Sequence, residues 1–366
     1  MWWNRGFYLF FLICVIMLTT KELQPKSILC GFNTLKLLRI QTKNLTERLI
    51  LSDLIKKYWF LIGLFLVFVV TVADTTETVS SIGIWLKVHR GPDVVIVLIF
   101  FFSGLILDAR QIRSGLMDVK GIAAALIIIF LVAPVVAALC KAIPLDTGVL
   151  IGIFLVAVMP TTLSSGVVMT GAAGGNMAQA LAITILANGL AVFTIPVALS
   201  LLLELLGGSA VVAIDKPAIM IKLGIYVFLP LCVGLTLKFL AKSSVNRFAY
   251  RLQLLNQLLI LAIVWMAMSQ ARDAIVSGGE SVGIVILLVF SFHGILLSAA
   301  GVFTKLLKLG KGRRESVIFM GGQKTLPLAI ILQVSLFPQY GLALVVCVLH
   351  HMIHLLMDGY LVGRLK

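Results

Sequence analysis

"ESVIFMGGQKTLPLAIILQ", residues 315–333, approaches the length that crosses a membrane and is interrupted at its centre. Gly321 and Gly322 weaken a helix. Pro327 removes an amide donor and crowds the turn before it, so the chain is expected to unwind around Gln323, Lys324 and Thr325. At about 1.5 Å per helical residue counted from Glu315, Lys324 lies ~13 Å deep, near mid-bilayer. A charged lysine at that depth costs about 2.5–3.5 kcal/mol on insertion scales. It is too central to snorkel and should face the protein interior. A second stretch, "VAVMPTTLSSGVVMTGAAGGN" (156–176), has a matching interruption: Pro160, then the hydroxyls of Thr161, Thr162, Ser164 and Ser165, then Gly166. Unpaired main-chain groups at membrane depth are tolerated only inside protein or beside a hydrated cavity, so both breaks should point inward. Broken half-helices offer N-terminal amides to anions, and freed carbonyls and hydroxyls to sodium or a substrate's polar groups.

The rest of the chain fits a membrane setting. Of 366 residues, 60% are hydrophobic and 12% charged, and the mean hydropathy is +1.11, more than one soluble core buries. Ten spans are expected, near 58–74, 92–108, 119–140, 147–171, 176–206, 217–240, 252–271, 282–304, 315–336 and 338–361. With both termini in the cytoplasm, loops 108–120, 238–251 and 305–314 carry three, four and five Lys/Arg and obey the positive-inside rule. The net charge of +15 therefore reads as topology and contact with anionic lipid headgroups. Nucleic acid is not an expected partner, since no zinc-finger or RRM motif occurs. Cys14, Cys30, Cys140, Cys232 and Cys347 have neither C-x-x-C spacing nor an even count, so neither disulfides nor a zinc site is expected.

Residues 1–54 form a basic extension holding a short apolar stretch, 6–18, and an Asn44-Leu45-Thr46 sequon. An extra span, an uncleaved signal and an over-extended start all remain open for it. The remainder divides into two five-span halves, 55–207 and 208–366. Similar units with an odd number of spans must lie in opposite orientations, so the fold class is an all-α polytopic membrane protein built as two inverted five-helix repeats.

The second break, "GGNMAQAL" (174–181) opening span five and "FFSGLIL" (101–107) closing span two together resemble the bile acid:sodium symporter family. The closest branch is that of bacterial homologues of solute carrier family ten member seven, where a break of the form H/Q-K-S/T-L-x-L-x-I also occurs. The resemblance covers residues 55–366. It implies a panel of helices 1, 2, 6 and 7, a core of helices 3–5 and 8–10, and two discontinuous helices crossing near the bilayer centre. It also implies binding positions at Ser165, Gly166, Asn176, Thr184 and Gln323, to which the breaks themselves add Thr162, Ser164, Lys324 and Thr325. The chain departs from the family where Ala180 replaces a serine, Ile129 a glutamine and Phe319 the carboxylate of the sodium site. What remains is a weak sodium site at Thr184 and Gln323, and two-sodium coupling is doubtful. Lys324 then has two readings. Its ammonium replaces a bound cation, pairing with an anionic substrate or exchanging a proton, or it is a structural lysine bonded to carbonyls of the opposite break.

His350, His354 and Asp358 recur every four residues on one face of span ten, beside His351, and His293 lies in span eight. They read as a proton relay, a substrate contact or a His-x₃-His metal site, against interhelical hydrogen bonds near the helix end, while Asn176, Gln179 and Asn188 either face the core or make helix–helix hydrogen bonds. No resident metal or cofactor is expected, and no G-x-x-x-x-G-K-[ST] suggests ATP. The absence of G-x-S-x-G argues against an intramembrane hydrolase. The expected function is a monomeric secondary transporter of a small organic anion, coupled to protons or sodium, in a bacterial inner membrane. The alternative is a transporter-like regulator or sensor of ion or envelope-precursor homeostasis.

Overall fold

Apolar runs punctuated by Asp, Asn, Gly and Pro give helices with defined ends. A computed structural model describes residues 59–107, 115–207, 215–277 and 281–365, and every regular element among them is helical. The extension 1–54, with its apolar stretch, Cys14, Cys30 and Asn44, lies outside the described residues. So do Arg110 and Arg113 of the first basic loop and the boundary between the halves at 208–214.

In chain order the helices are α1 (Trp59–Ala73), α2 (Thr78–Val88), α3 (Gly91–Ile106), α4 (Val119–Ala142), α5 (Thr147–Val158), α6 (Ser165–Ala172) and α7 (Met177–Glu204). They continue as α8 (Lys216–Leu240), α9 (Lys242–Ser277), α10 (Ser281–Leu306), α11 (Arg313–Gly322), α12 (Leu326–Leu336) and α13 (Gly341–Leu365). Seven spans among the described residues are long and apolar enough to cross a membrane: α4, α7, α8, the Arg247–Asp273 part of α9, α10, the α11–α12 pair and α13. The pair α1 and α2, bent by 108°, makes an eighth if counted as one. α3 and α5 are apolar but shorter, at 16 and 12 residues.

Helix starts follow from their caps. Asp118, Asp146, Asn176 and Asp215 each accept a hydrogen bond from an amide in the first turn of α4, α5, α7 and α8, at 2.7–3.2 Å. Prolines shape the interiors. α4 widens into a π-turn at Ile128–Val132, just before Pro134, and α8 does the same at Gly224–Phe228, before Pro230. A ring without an N–H disrupts the preceding ladder in both cases.

Residues 67–366 form one compact unit. Within it α3 packs against the second half of α8 and against α9, while α5 packs against α13, α10 against α11 and α13, and α4 against α11. Gly104 of α3 and Gly234 of α8 meet back to back, and a Cβ on either would strike the other helix's backbone. The α11–α12 pair and α13 are innermost, 94% and 83% buried over their most apolar stretches against 33–44% for the other five long spans. Those five keep apolar side chains such as Leu131, Phe193 and Leu287 on the outer surface, as a lipid-facing helix requires.

The two broken segments run antiparallel. The start of α5 lies against the start of α13, where a Cβ on Gly148 would be 3.3 Å from that of Leu342. At the opposite end the turn after α6 meets the start of α11, and Asn176 donates its amide to the Gly312 carbonyl at 2.7 Å.

Candidate functional site

The interruptions lie where Pro160 and Pro327 predict them. Residues 159–164 separate α5 from α6, and Gln323–Thr325 separate α11 from α12. They touch: Thr325 donates its main-chain amide to the Pro160 carbonyl at 3.0 Å. Each break thus satisfies a group that the other has freed.

Gln323 is fully buried at this crossing. Its Nε2 donates to Asp358 Oδ2 at 2.7 Å, and a carboxylate acting only as an acceptor fixes that orientation of the amide. Oε1 therefore faces the hydroxyls of Thr162 at 2.6 Å and Ser165 at 3.0 Å, which both donate to it. Thr162 Oγ1 also accepts from the Gly166 amide at 3.0 Å, and it lies 3.0 Å from Ser165 Oγ as the alternative acceptor for that hydroxyl's single proton. Gly166 leaves room for this arrangement, since a Cβ there would lie 2.7 Å from Met320 Sδ and 3.1 Å from Gln323 Oε1. Thr184 lies on the main-chain side of Thr162, its hydroxyl 2.9 Å from the Ala180 carbonyl and 3.5 Å from that of Thr162. Asn188 reaches the Thr184 and Thr161 carbonyls at 2.9 and 3.3 Å.

Not every sequence candidate joins this cluster. Ser164 stands at the start of α6 and Thr325 at the start of α12, neither side chain capping its helix. Asn176 caps α7 at the end of the molecule, where its carbonyl accepts from Ser316 Oγ at 2.9 Å. Phe319 is buried where the resemblance expects a carboxylate. A carboxylate nevertheless stands beside Gln323, supplied by Asp358 from α13.

Asp358 also meets His293 Nε2 at 3.0 Å and faces His354 Nδ1 at 3.9 Å. His354 Nε2 lies 2.8 Å from His351 Nδ1, and His351 is hydrogen-bonded to the main chain of Lys324. If His351 donates to the Lys324 carbonyl, its Nδ1 is an acceptor and His354 donates from Nε2. The His354 Nδ1 then faces Asp358 Oδ2 at 3.9 Å. His350 completes the group through ring contacts at 5.4 Å to His354 and 5.7 Å to His293. Among the described residues no three His, Cys, Asp or Glu side chains are placed to hold a metal ion.

Lys324, 2% exposed, donates to the carbonyls of Ile129, Ala157 and Met159 at 2.8, 2.9 and 2.9 Å. Two of these belong to the end of α5 and the opposite break, and the third to the π-turn of α4.

The model of the SBF-like CPA transporter family matches residues 58–366. The chain belongs to this family. Among its relatives, the probable sodium/metabolite cotransporter BASS4 of Arabidopsis thaliana is 29% identical over 280 residues, 72% of this chain and 64% of that protein. The chain thus spans just under two thirds of the length of that chloroplastic relative. Sodium/bile acid cotransporter 7 of Xenopus tropicalis is 25% identical over 332 residues, 86% of this chain and 94% of that protein. The solute carrier RCH1 of Saccharomyces cerevisiae is 31% identical over 154 residues, 37% of this chain and 35% of that protein. Membership agrees with the resemblance to the bile acid:sodium symporter family carried by 101–107, 174–181 and the second break.

In this member of the SBF-like CPA transporter family, Asp118 and Arg313 form a polar pair that is not among the sequence candidates. Asp118, at the start of α4, forms a two-pronged ion pair with Arg313 of α11 and accepts from Gln179 of α7 at 2.5 Å. Burial works to raise the Asp118 carboxyl, but Arg313, the Gly121 amide and Gln179 outweigh it and hold the group below the usual carboxylate range. The only local signal is an Asp ahead of an apolar run, which marks a helix cap and says nothing of a partner 195 residues away.

Proposed function

We propose that the chain is a secondary active transporter that moves a small organic anion by alternating access, coupled to a proton or a sodium gradient. The observation that carries this reading is the antiparallel crossing of two broken helices, buried and bonded to each other at Thr325 and Pro160. A crossing of this kind gathers half-helix ends at one point inside the membrane. Two helix N-termini, at Ser165 and Leu326, open at the crossing and offer their first-turn amides to an anion. The proposed architecture is ten spans in two inverted repeats with cytoplasmic termini. The packing of α3 on α8 and α9 supports a separate panel against which the core around α5, α11–α12 and α13 rocks.

Each candidate coupling ion has a physical basis. The oxygens of Thr162, Ser165 and Gln323, with Thr184 nearby, are hard ligands of the type that sodium takes. The chain from His351 through His354 to Asp358 and His293 offers a path for a proton. The names of the relatives, a sodium/metabolite and a sodium/bile acid cotransporter, favour an ion-coupled carrier of an organic solute.

Purified protein in liposomes, with sodium and proton gradients imposed separately, tests the reading. Carboxylated and sulfated steroids, organic acids and phosphorylated metabolites are the solutes to screen. Saturable counterflow of one of them, accelerated by one of the two gradients, is the expected result. If no solute shows counterflow while a partner protein or ion flux depends on the chain, it acts as a regulator and the carrier reading is wrong.

A further inference from the structure

The three carbonyls that hold Lys324 are all acceptors that the fold has left without a main-chain donor. In α4 the Ala133 amide bonds to the Ile128 carbonyl, one residue further back than α-helical register. Ile129 O would next be served by position 134, but Pro134 has no N–H. In α5 the helix stops at Val158, so the Ala157 carbonyl belongs to the unpaired last turn, and Met159 lies in the extended break. The α5 C-terminus adds the negative end of its dipole. These oxygens, from two helices, converge on a single point 2.8–2.9 Å from each.

A neutral amine has two donors and a lone pair, which would face one of the three oxygens. An ammonium has three donors and matches the set. Among the described residues no carboxylate pairs with Lys324, so main-chain dipoles alone hold the charge. Cages of carbonyl dipoles are how proteins replace the hydration shell of a weakly hydrated cation inside a membrane. We propose that Ile129 O, Ala157 O and Met159 O form a monovalent-cation site of ammonium or potassium size, and that Lys324 is its tethered occupant. The chain brings its own cation to the crossing on α11–α12, where the ion also bonds that break to α4 and α5.

The site is independent of which solute is carried, and its test reads stability rather than flux. The full chain in detergent is compared with Lys324→Ala, which empties the cage, and Lys324→Met, which fills the space without a charge. Each is melted in ammonium chloride, potassium chloride and choline chloride at equal ionic strength. The expected result is that Lys324→Ala melts below the unaltered chain in choline and gains at least about 3 °C in ammonium or potassium. The unaltered chain and Lys324→Met should not respond. The proposal fails if Lys324→Ala ignores the small cations, or if Lys324→Met gains as much as Lys324→Ala, which would place the ions elsewhere. It also fails if Lys324→Ala cannot be recovered folded even when expressed and purified in ammonium, since a caged ion must then stand in for the side chain.

Discussion

Gln323 shows how much one buried amide can organise. It joins both breaks to α13 through Thr162, Ser165 and Asp358, so Gln323→Ala strands the Thr162 hydroxyl, takes one of two acceptors from Ser165 and removes a donor from a buried carboxylate. The expected cost is about 2–4 kcal/mol, read as a lower melting temperature in detergent, with liposome uptake reduced at least about tenfold. Gly166 is the complementary test. Gly166→Asn puts a side chain where Met320 and Gln323 now sit, and because both are flexible ends the protein should fold, at a cost of about 1–3 kcal/mol, with impaired uptake. Gly301, inside α10 where a Cβ meets nothing within 4 Å, is the control, and Gly301→Ala should leave uptake unchanged without lowering the melting temperature. At this scale the sequence was informative about residue type. Gln323, Lys324 and the hydroxyls stand out as polar groups in an apolar run, yet no spacing rule tells that Gln323 meets Asp358 while Asn176 does not.

Helices here end where their sequences say they should, through Asp or Asn caps and through proline, and these signals are local and legible. What joins one helix start to another is not. Asp118 binds the starts of α4, α7 and α11 into one corner through Gln179 and Arg313. Because its carboxyl is held below the usual range, its stabilisation is present above the unfolded value and is lost as pH falls through the lower folded one. Arg313 is 41% exposed, so solvent screens the pair and the contribution is about 1 kcal/mol. Asp118→Asn should therefore melt lower than the unaltered chain at neutral pH, and the difference should close in acid, below about pH 4. A difference that stays constant from neutral pH into acid would show that the ion pair contributes nothing.

For the whole molecule, the proposed inverted arrangement makes a prediction about sidedness. In a background with the native cysteines replaced by serine, a cysteine at Lys308 should react with an impermeant reagent only from the cytoplasmic side, and one at Pro144 only from outside. Labelling of both from one side would rule out the proposed topology. The sequence by itself determined that this is a helical membrane protein, where its two central helices break, and which family its motifs follow, because hydropathy, proline and glycine act over a few residues. The resemblance added the expectation that Phe319 stands where the family carries a carboxylate. Only the tertiary structure decided that Asp358 would stand beside Gln323, and that Lys324 would rest on carbonyls of Ile129, Ala157 and Met159. Those contacts join residues 35 to 195 positions apart. Their partners are main-chain oxygens or distant side chains, and which of them meet depends on how the helices pack.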